Sequence, residues 1–274
     1  MDSLDFKSSN GQGMSVVGSI PMHSRHFFIT IYFNGLRRCH ALDQKEERQV
    51  VTVTSGQARE RTDWLAIERP LTIFVNGRQY ITLLSSGNHL EELSVGYAFN
   101  QGLLASKDDI RSLSAYGEKV VLDLMVNPKS RLNCPKKLKA GIKLSPSQIT
   151  SLMGEFSMAS TLFQETGAVH SAALARETIL VFGEDIARHN TIDILAGYII
   201  LEELNPASLC LLTSGRVSSS VVSKCHGMGI GLLISRSAPT SLAVEMAEEV
   251  GITLVGFARE QRFNIYCNPW RVEI

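Results

Sequence analysis

The second half of the chain alternates short apolar runs with amphipathic ones. Val169–Ala175, Thr178–Gly183, Ser208–Thr213, Gly231–Ser235, Thr253–Phe257 and Phe263–Tyr266 are too short for helices and read as strands. Asn190–Glu203, Ser218–Gly227 and Ser241–Val250 carry apolar residues at helical spacing. Such alternation predicts a mainly parallel sheet covered by helices, an α/β fold. The first half is less regular. Phe27–Phe33, Gln49–Thr54 and Val120–Val126 are β-like, and Leu71–Val75 and Gln79–Leu84 flank Asn76–Gly77, a hairpin signal because both residues tolerate positive φ. Leu90–Gln101 predicts a helix with Glu91 and Glu92 in its first turn, where acids suit the positive helix end.

Residues 1–24 show no periodicity and predict a disordered arm. Asn127–Lys143 is a lysine-rich loop, and Ser145–Pro146 supplies an N-cap and a first-turn proline for helical chain running to Gly167. The organisation expected is an arm (1–24), a smaller N-terminal α/β region (25–143) and an α/β domain (144–274).

The charge balance changes what the protein can bind. With 27 basic and 27 acidic residues in 274, there is no basic excess to hold nucleic acid or a membrane surface. An anion must therefore be caught by a local cluster. Five scattered cysteines without a C-x-x-C pair do not make a disulfide framework, and no apolar run reaches about 18 residues, so a cytoplasmic, reduced protein is expected.

Three successive loops supply such a cluster. Each follows an expected strand and opens an expected helix: Glu184–Asn190 with Arg188 and His189, then Thr213–Arg216 with Ser214 and Gly215, then Ser235–Thr240 with Arg236 and Ser237. An arginine at a helix N-terminus opposes the partial positive charge already there. Repeated in three loops, this suggests a phosphate held among free N–H groups, hydroxyls and guanidinium forks. The rival reading is that Glu184, Asp185 and Asp193 simply neutralise the arginines. Asp193, four residues after His189, falls on the same helical face and is expected to hold the imidazole in one tautomer, leaving its other nitrogen for a ligand. The same pair also permits an acid–base role in an unrelated nucleotide-modifying enzyme. There is no zinc-ligand spacing, no G-x-x-x-x-G-K-[ST] loop and no G-x-S-x-G elbow, so no metal site is expected.

Taken in order, the segments Trp64…Arg69-Pro70-Leu71…Val75-Asn76-Gly77, Glu91-Glu92-Leu93…Gly96-Tyr97, Gly183–Asn190…Asp193, Thr213–Arg216, Ser235–Thr240, Gly256–Arg259 and Asn264–Tyr266 resemble the formate dehydrogenase accessory protein family, FdhD/NarQ. The resemblance implies a cytidine-deaminase-like three-layer core with a smaller N-terminal α/β region, assembled as a homodimer. It implies binding of the molybdenum bis-guanine-dinucleotide cofactor, which GDP mimics, and relay of sulfur to it from a cysteine desulfurase for formate dehydrogenase. On this reading Arg188, His189, Asn190, Asp193, Ser214, Gly215, Arg216, Arg236 and Ser237 form the cofactor site. The family's C-G-x-C-type sulfur motif falls here on Asn133-Cys134-Pro135-Lys136-Lys137, with one cysteine and Lys137 where the second would stand. Cys134 is then a single-cysteine sulfur carrier, a vestige in a cofactor-binding chaperone without sulfur transfer, or an incidental residue; lysines beside it favour the reactive thiolate. Ala187, Ile194 and Glu260 replace residues usual in the family, and Glu260 puts an acid beside Arg259.

Overall fold

A computed structural model describes residues 42–125, 136–139 and 141–274. The arm at 1–24, the run Phe27–Phe33, Cys39 and Cys134 lie outside the described residues.

The described chain begins with an antiparallel ribbon, β1 (Lys45–Thr54) and β2 (Gln57–Ala66). Only Gln49–Thr54 carries a strand signal in the sequence. β2 is exposed along most of its length, so burial imposes no alternation on it. β3 (Arg69–Val75) and β4 (Arg78–Ser85) form the hairpin expected around Asn76–Gly77, both of which take positive φ. Helix α1 (Leu90–Asn100) follows, then β5 (Ile110–Tyr116) and β6 (Lys119–Leu124). These strands make a four-stranded sheet in the order β4-β3-β6-β5, whose buried side chains Leu71, Ile73 and Val120 meet Leu93 of α1.

Ser145 then caps α2 (Pro146–Ala159), its hydroxyl accepting from the Gln148 amide while the Gln148 side chain accepts from the Ser145 amide. The short α3 (Thr161–Thr166) stops at Gly167 with φ of 66°. The remaining elements are β7 (His170–Ala175), β8 (Ile179–Asp185), α4 (Arg188–Leu201), β9 (Cys210–Thr213), α5 (Ser219–Met228), β10 (Leu232–Ser235), α6 (Ser241–Val250), β11 (Thr253–Arg259) and β12 (Arg262–Cys267).

The six-stranded sheet runs β12-β11-β10-β9-β7-β8 and is mixed, which corrects the expectation of a mainly parallel sheet. Only β9–β10 and β10–β11 pair in parallel; β7–β8, β7–β9 and β11–β12 are antiparallel. Link length is the reason. A parallel neighbour needs a crossover of about a dozen residues, whereas a few residues join β7 to β8 and β11 to β12. As a result β7 begins at the edge where β8, β9, β10 and β11 end.

Alternation along the strands sends Ala173, Leu212, Ile234 and Val255 to one face, against Leu152 and Phe156 of α2. Ala172, Leu174, Leu211, Leu233 and Leu254 go to the other, against α4, α5 and α6. The two sheets are joined where α1 crosses α4. A Cβ on Gly96 would collide with the Asp193 carbonyl, and one on Gly197 with the Glu92 carbonyl, so both glycines allow backbone-to-backbone contact.

Candidate functional site

Ligands of open α/β sheets bind beyond the carboxyl ends of the strands. Here that edge collects Arg188 after β8, Ser214 to Arg216 after β9, Arg236 and Ser237 after β10, Arg259 at the end of β11, and His170 at the start of β7. The loops are stitched to one another. The Arg236 amide donates to the Thr213 carbonyl (3.0 Å), the Ser235 hydroxyl to the Gly215 carbonyl (2.8 Å) and the Ser237 hydroxyl to the Ser214 carbonyl (2.9 Å). The Ser171 amide donates to Ser214 Oγ at 2.9 Å, which leaves the Ser214 O–H available as a donor. The loops thus form a braced frame, and part of the expected hydroxyl cradle serves as struts.

The arginines stand on that frame without carboxylates. Among the described residues, no acid lies within ion-pair distance of Arg188, Arg216, Arg236 or Arg259. Arg188 Nη1 donates to the Arg216 carbonyl at 3.3 Å, and its Nε is buried with no hydrogen-bond partner. Its stem crosses Gly215 so closely that a Cβ there would sit 2.5 Å from Arg188 Cδ. Arg259 Nε donates to the Arg236 carbonyl at 2.9 Å. A cavity of about 440 Å³ opens between Phe163, His170, Ser214, Arg236, Ser237 and Arg259. Burial lowers the His170 pKa and the Arg188 and Arg216 guanidiniums push the same way; for His189, burial, Lys224 and Arg188 do so. In both imidazoles these influences favour the uncharged form.

The acids of the neighbouring stretch are engaged elsewhere, so the rival reading of neutralised arginines does not hold. Glu184 accepts from the Ser160 hydroxyl, and burial, the largest influence, raises its pKa. Asp185 is fully buried and accepts from the Ser86 amide (2.9 Å), the Ala187 amide (3.0 Å) and Asn190 Nδ2 (2.8 Å). Two expectations need correction. Asn190 is turned inward, its amide donating to Asp185 and to the Leu84 carbonyl (2.7 Å). Asp193 does not orient His189: its carboxylate accepts from Lys224 Nζ at 2.6 and 2.7 Å and from Asn100 Nδ2 at 2.6 Å. A shared helical face placed Asp193 near His189, but a cation and an amide from α5 and α1 hold its carboxylate more strongly.

The family model described as the FdhD/NarQ family matches residues 66–137 and 125–273, more than half of the chain. The chain belongs to the FdhD/NarQ family. It is 34% identical over 250 aligned residues to the sulfur carrier protein FdhD of Staphylococcus aureus (strain MRSA252), covering 81% of this chain and 94% of that one. It is 35% identical over 254 residues to the protein of that name from Halalkalibacterium halodurans, covering 82% and 94%. A crystal structure from Desulfotalea psychrophila, described as a formate dehydrogenase accessory protein, superposes with a TM-score of 0.76 at 28% identity, over 84% of this chain and all of that one.

Within the span matched to the family, the described cysteines are poor sulfur carriers. Cys210 and Cys225 are fully buried, which pushes both thiols up to about 12, and burial raises buried Cys267 as well. A thiol so protonated is not a nucleophile. Cys134, inside the matched span, lies outside the described residues. Sequence reasoning missed His170, Phe163 and Lys224 and set Arg259 aside. Arg259 carried a signal, the fourth arginine at a strand end; His170 carried none until β7 was known to run antiparallel.

Proposed function

We propose that this protein is a sulfur carrier serving a formate dehydrogenase, and that it holds the molybdenum bis-guanine-dinucleotide cofactor as its cargo at the arginine-lined edge. One observation carries the reading: Arg188, Arg216, Arg236 and Arg259 have no carboxylate partners among the described residues, although Glu184 and Asp185 stand within four residues of Arg188 and Glu260 is next to Arg259. Two guanine-nucleotide pyrophosphates supply the missing negative charge. Arg236, Arg259, Ser214 and Ser237 then contact phosphate oxygens at the cavity, while Gly215 keeps room for the Arg188 stem. The names of the relatives support the carrier role, and with the three described cysteines buried, Cys134 is the remaining cysteine of the family-matched span and the sulfur acceptor of this reading. There the Cys134 thiolate attacks the terminal sulfur of a cysteine desulfurase persulfide, and the desulfurase thiolate leaves. Cytidine-deaminase-like layering, a homodimer and a cytoplasmic location complete the proposal.

A second reading, a cofactor-binding chaperone without sulfur transfer, is favoured by one feature. Lys137 stands where the family's second motif cysteine would, and no described cysteine is exposed to replace it. Titration with GDP tests the common part: Arg236→Ala is expected to weaken binding by at least about tenfold, the value of one charge-assisted hydrogen bond. Unchanged affinity removes the edge from the site. Incubation with a desulfurase and sulfur-labelled cysteine separates the two readings. Label on the wild type that is lost in Cys134→Ala supports the carrier; label on neither leaves the chaperone.

A further inference from the structure

We infer that His170 is a ligand-contacting group of this edge and that it takes up a proton when a phosphate-type dianion enters the cavity. The inference rests on the anion-binding reading above and deepens it by linking binding to proton uptake. Its basis is geometric. His170 begins β7 in the midst of four strand ends, and it lines the cavity with Ser214, Arg236 and Arg259. Nδ1 lies 3.7 Å from the point where a Cβ on Gly215 would be. No described residue hydrogen-bonds the ring. His170 is half-buried, so its ring nitrogens are not committed to the fold and remain open to whatever enters the cavity. Their partner is left to a ligand.

The charges that face the ring are all positive. α4 contributes Arg188, the loop after β9 Arg216, the loop after β10 Arg236 and β11 Arg259. The nearby acids are engaged: Asp185, opposite His170 in the β7–β8 register, with Ser86, Ala187 and Asn190; Glu184 with Ser160; and Glu165 of α3 with Lys45. Burial first, and then Arg188 and Arg216, favour the neutral form of the unliganded imidazole. A dianion resting on those guanidiniums cancels their push and adds an attraction of its own. The imidazolium then gains two donors toward the anion where the neutral ring has one. By linkage, the anion is held more tightly as pH falls through this range.

Sulfate is a suitable probe because its two negative charges do not change across this range. The His170 Cε1–H resonance of the full chain, assigned by its loss in His170→Gln, is followed by NMR against pH with sodium sulfate and with chloride at matched ionic strength. The midpoint is expected to rise by about one unit in sulfate, equivalent to roughly tenfold tighter binding to the imidazolium form. Sulfate affinity of the wild type should climb correspondingly from pH 8 to pH 6, and that of His170→Gln should climb less. If sulfate binds and the midpoint does not move, this inference is wrong and the arginine site stands. If sulfate does not bind at all, both fall. His170→Asn serves for assignment if the glutamine variant does not fold, and the wild-type titration decides the matter in either case.

Discussion

At the junction of α1, α4 and α5, charged and polar heads meet partners. Asp193 is held by Lys224 and Asn100, and Asp185 by Ser86, Ala187 and Asn190. A few residues away, at the carboxyl edge of the large sheet, four guanidiniums share no carboxylate among the described residues. Both regions draw on the one stretch Gly183–Asp193, so its composition cannot separate them. Compensation does. Exposed like charges repel weakly in water, so Arg216, Arg236 and Arg259 cost little where they stand. The buried, partnerless Nε of Arg188 is different: an orphaned donor costs about 1–3 kcal/mol, and nothing in the folding of the chain accounts for it. Groups satisfied by the chain hold it together; groups left unsatisfied await something from outside it.

The largest effect is expected where compensation is complete. Asp193 is 2% exposed and Lys224 18%, so Asp193→Ala strands a mostly buried ammonium. A loss of about 3–5 kcal/mol in urea unfolding is expected, with most of it recovered in the double variant Asp193→Leu, Lys224→Met, which removes both charges. A loss below about 1 kcal/mol would put this pair among ordinary surface pairs and dissolve the contrast.

A smaller effect tests the same junction by pH. His89 stands at the N-terminus of α1, its Nδ1 3.0 Å from the Tyr198 hydroxyl. Burial lowers its pKa from 6.5 to about 4, with nearby Asp185 opposing. Because the folded value lies below the unfolded one, the unfolded chain binds the proton first. This contribution to stability is complete above pH 6.5, declines as pH falls toward 4 and is lost below that. Allowing for a ring that keeps some solvent, roughly 2 kcal/mol is at stake. Subtracting the profile of His89→Asn, which tolerates the positive φ of 52° at this position, isolates the term from carboxylates that titrate nearby. Parallel profiles would mean that His89 is not held neutral by the junction.

The sequence announces these regions unequally. Ser241–Val250 is read to the residue because Thr240 caps it and Ala243 and Ala247 repeat at helical spacing on the buried face. β2 is silent because an exposed ribbon needs no apolar alternation. Strand direction is hidden in the run composition and visible only in link length, so the mixed sheet, and with it the place of His170, escapes pattern reading. The arginines are legible because a cation at a helix start is locally misplaced. Asp193 is misread because spacing along α4 reports its neighbour His189 but not Lys224, 31 residues away on α5.

The smallest effect asks to which region Arg188 belongs. Its head is half-buried and bonded to the Arg216 carbonyl, as a structural arginine's would be, yet its Nε is unmet, as a ligand-facing one's would be. Gly215 is the lever, since a Cβ there would displace the Arg188 stem and touches no backbone. If Arg188 serves the ligand, Gly215→Ala lowers GDP affinity several-fold, on the order of 1 kcal/mol, and leaves urea unfolding within about 0.5 kcal/mol of wild type. If Arg188 serves the fold, the two readouts exchange places: unfolding shifts and GDP binding does not. The glycine is worth testing before the arginine itself, because Arg188→Ala removes charge and packing together and cannot tell the two roles apart.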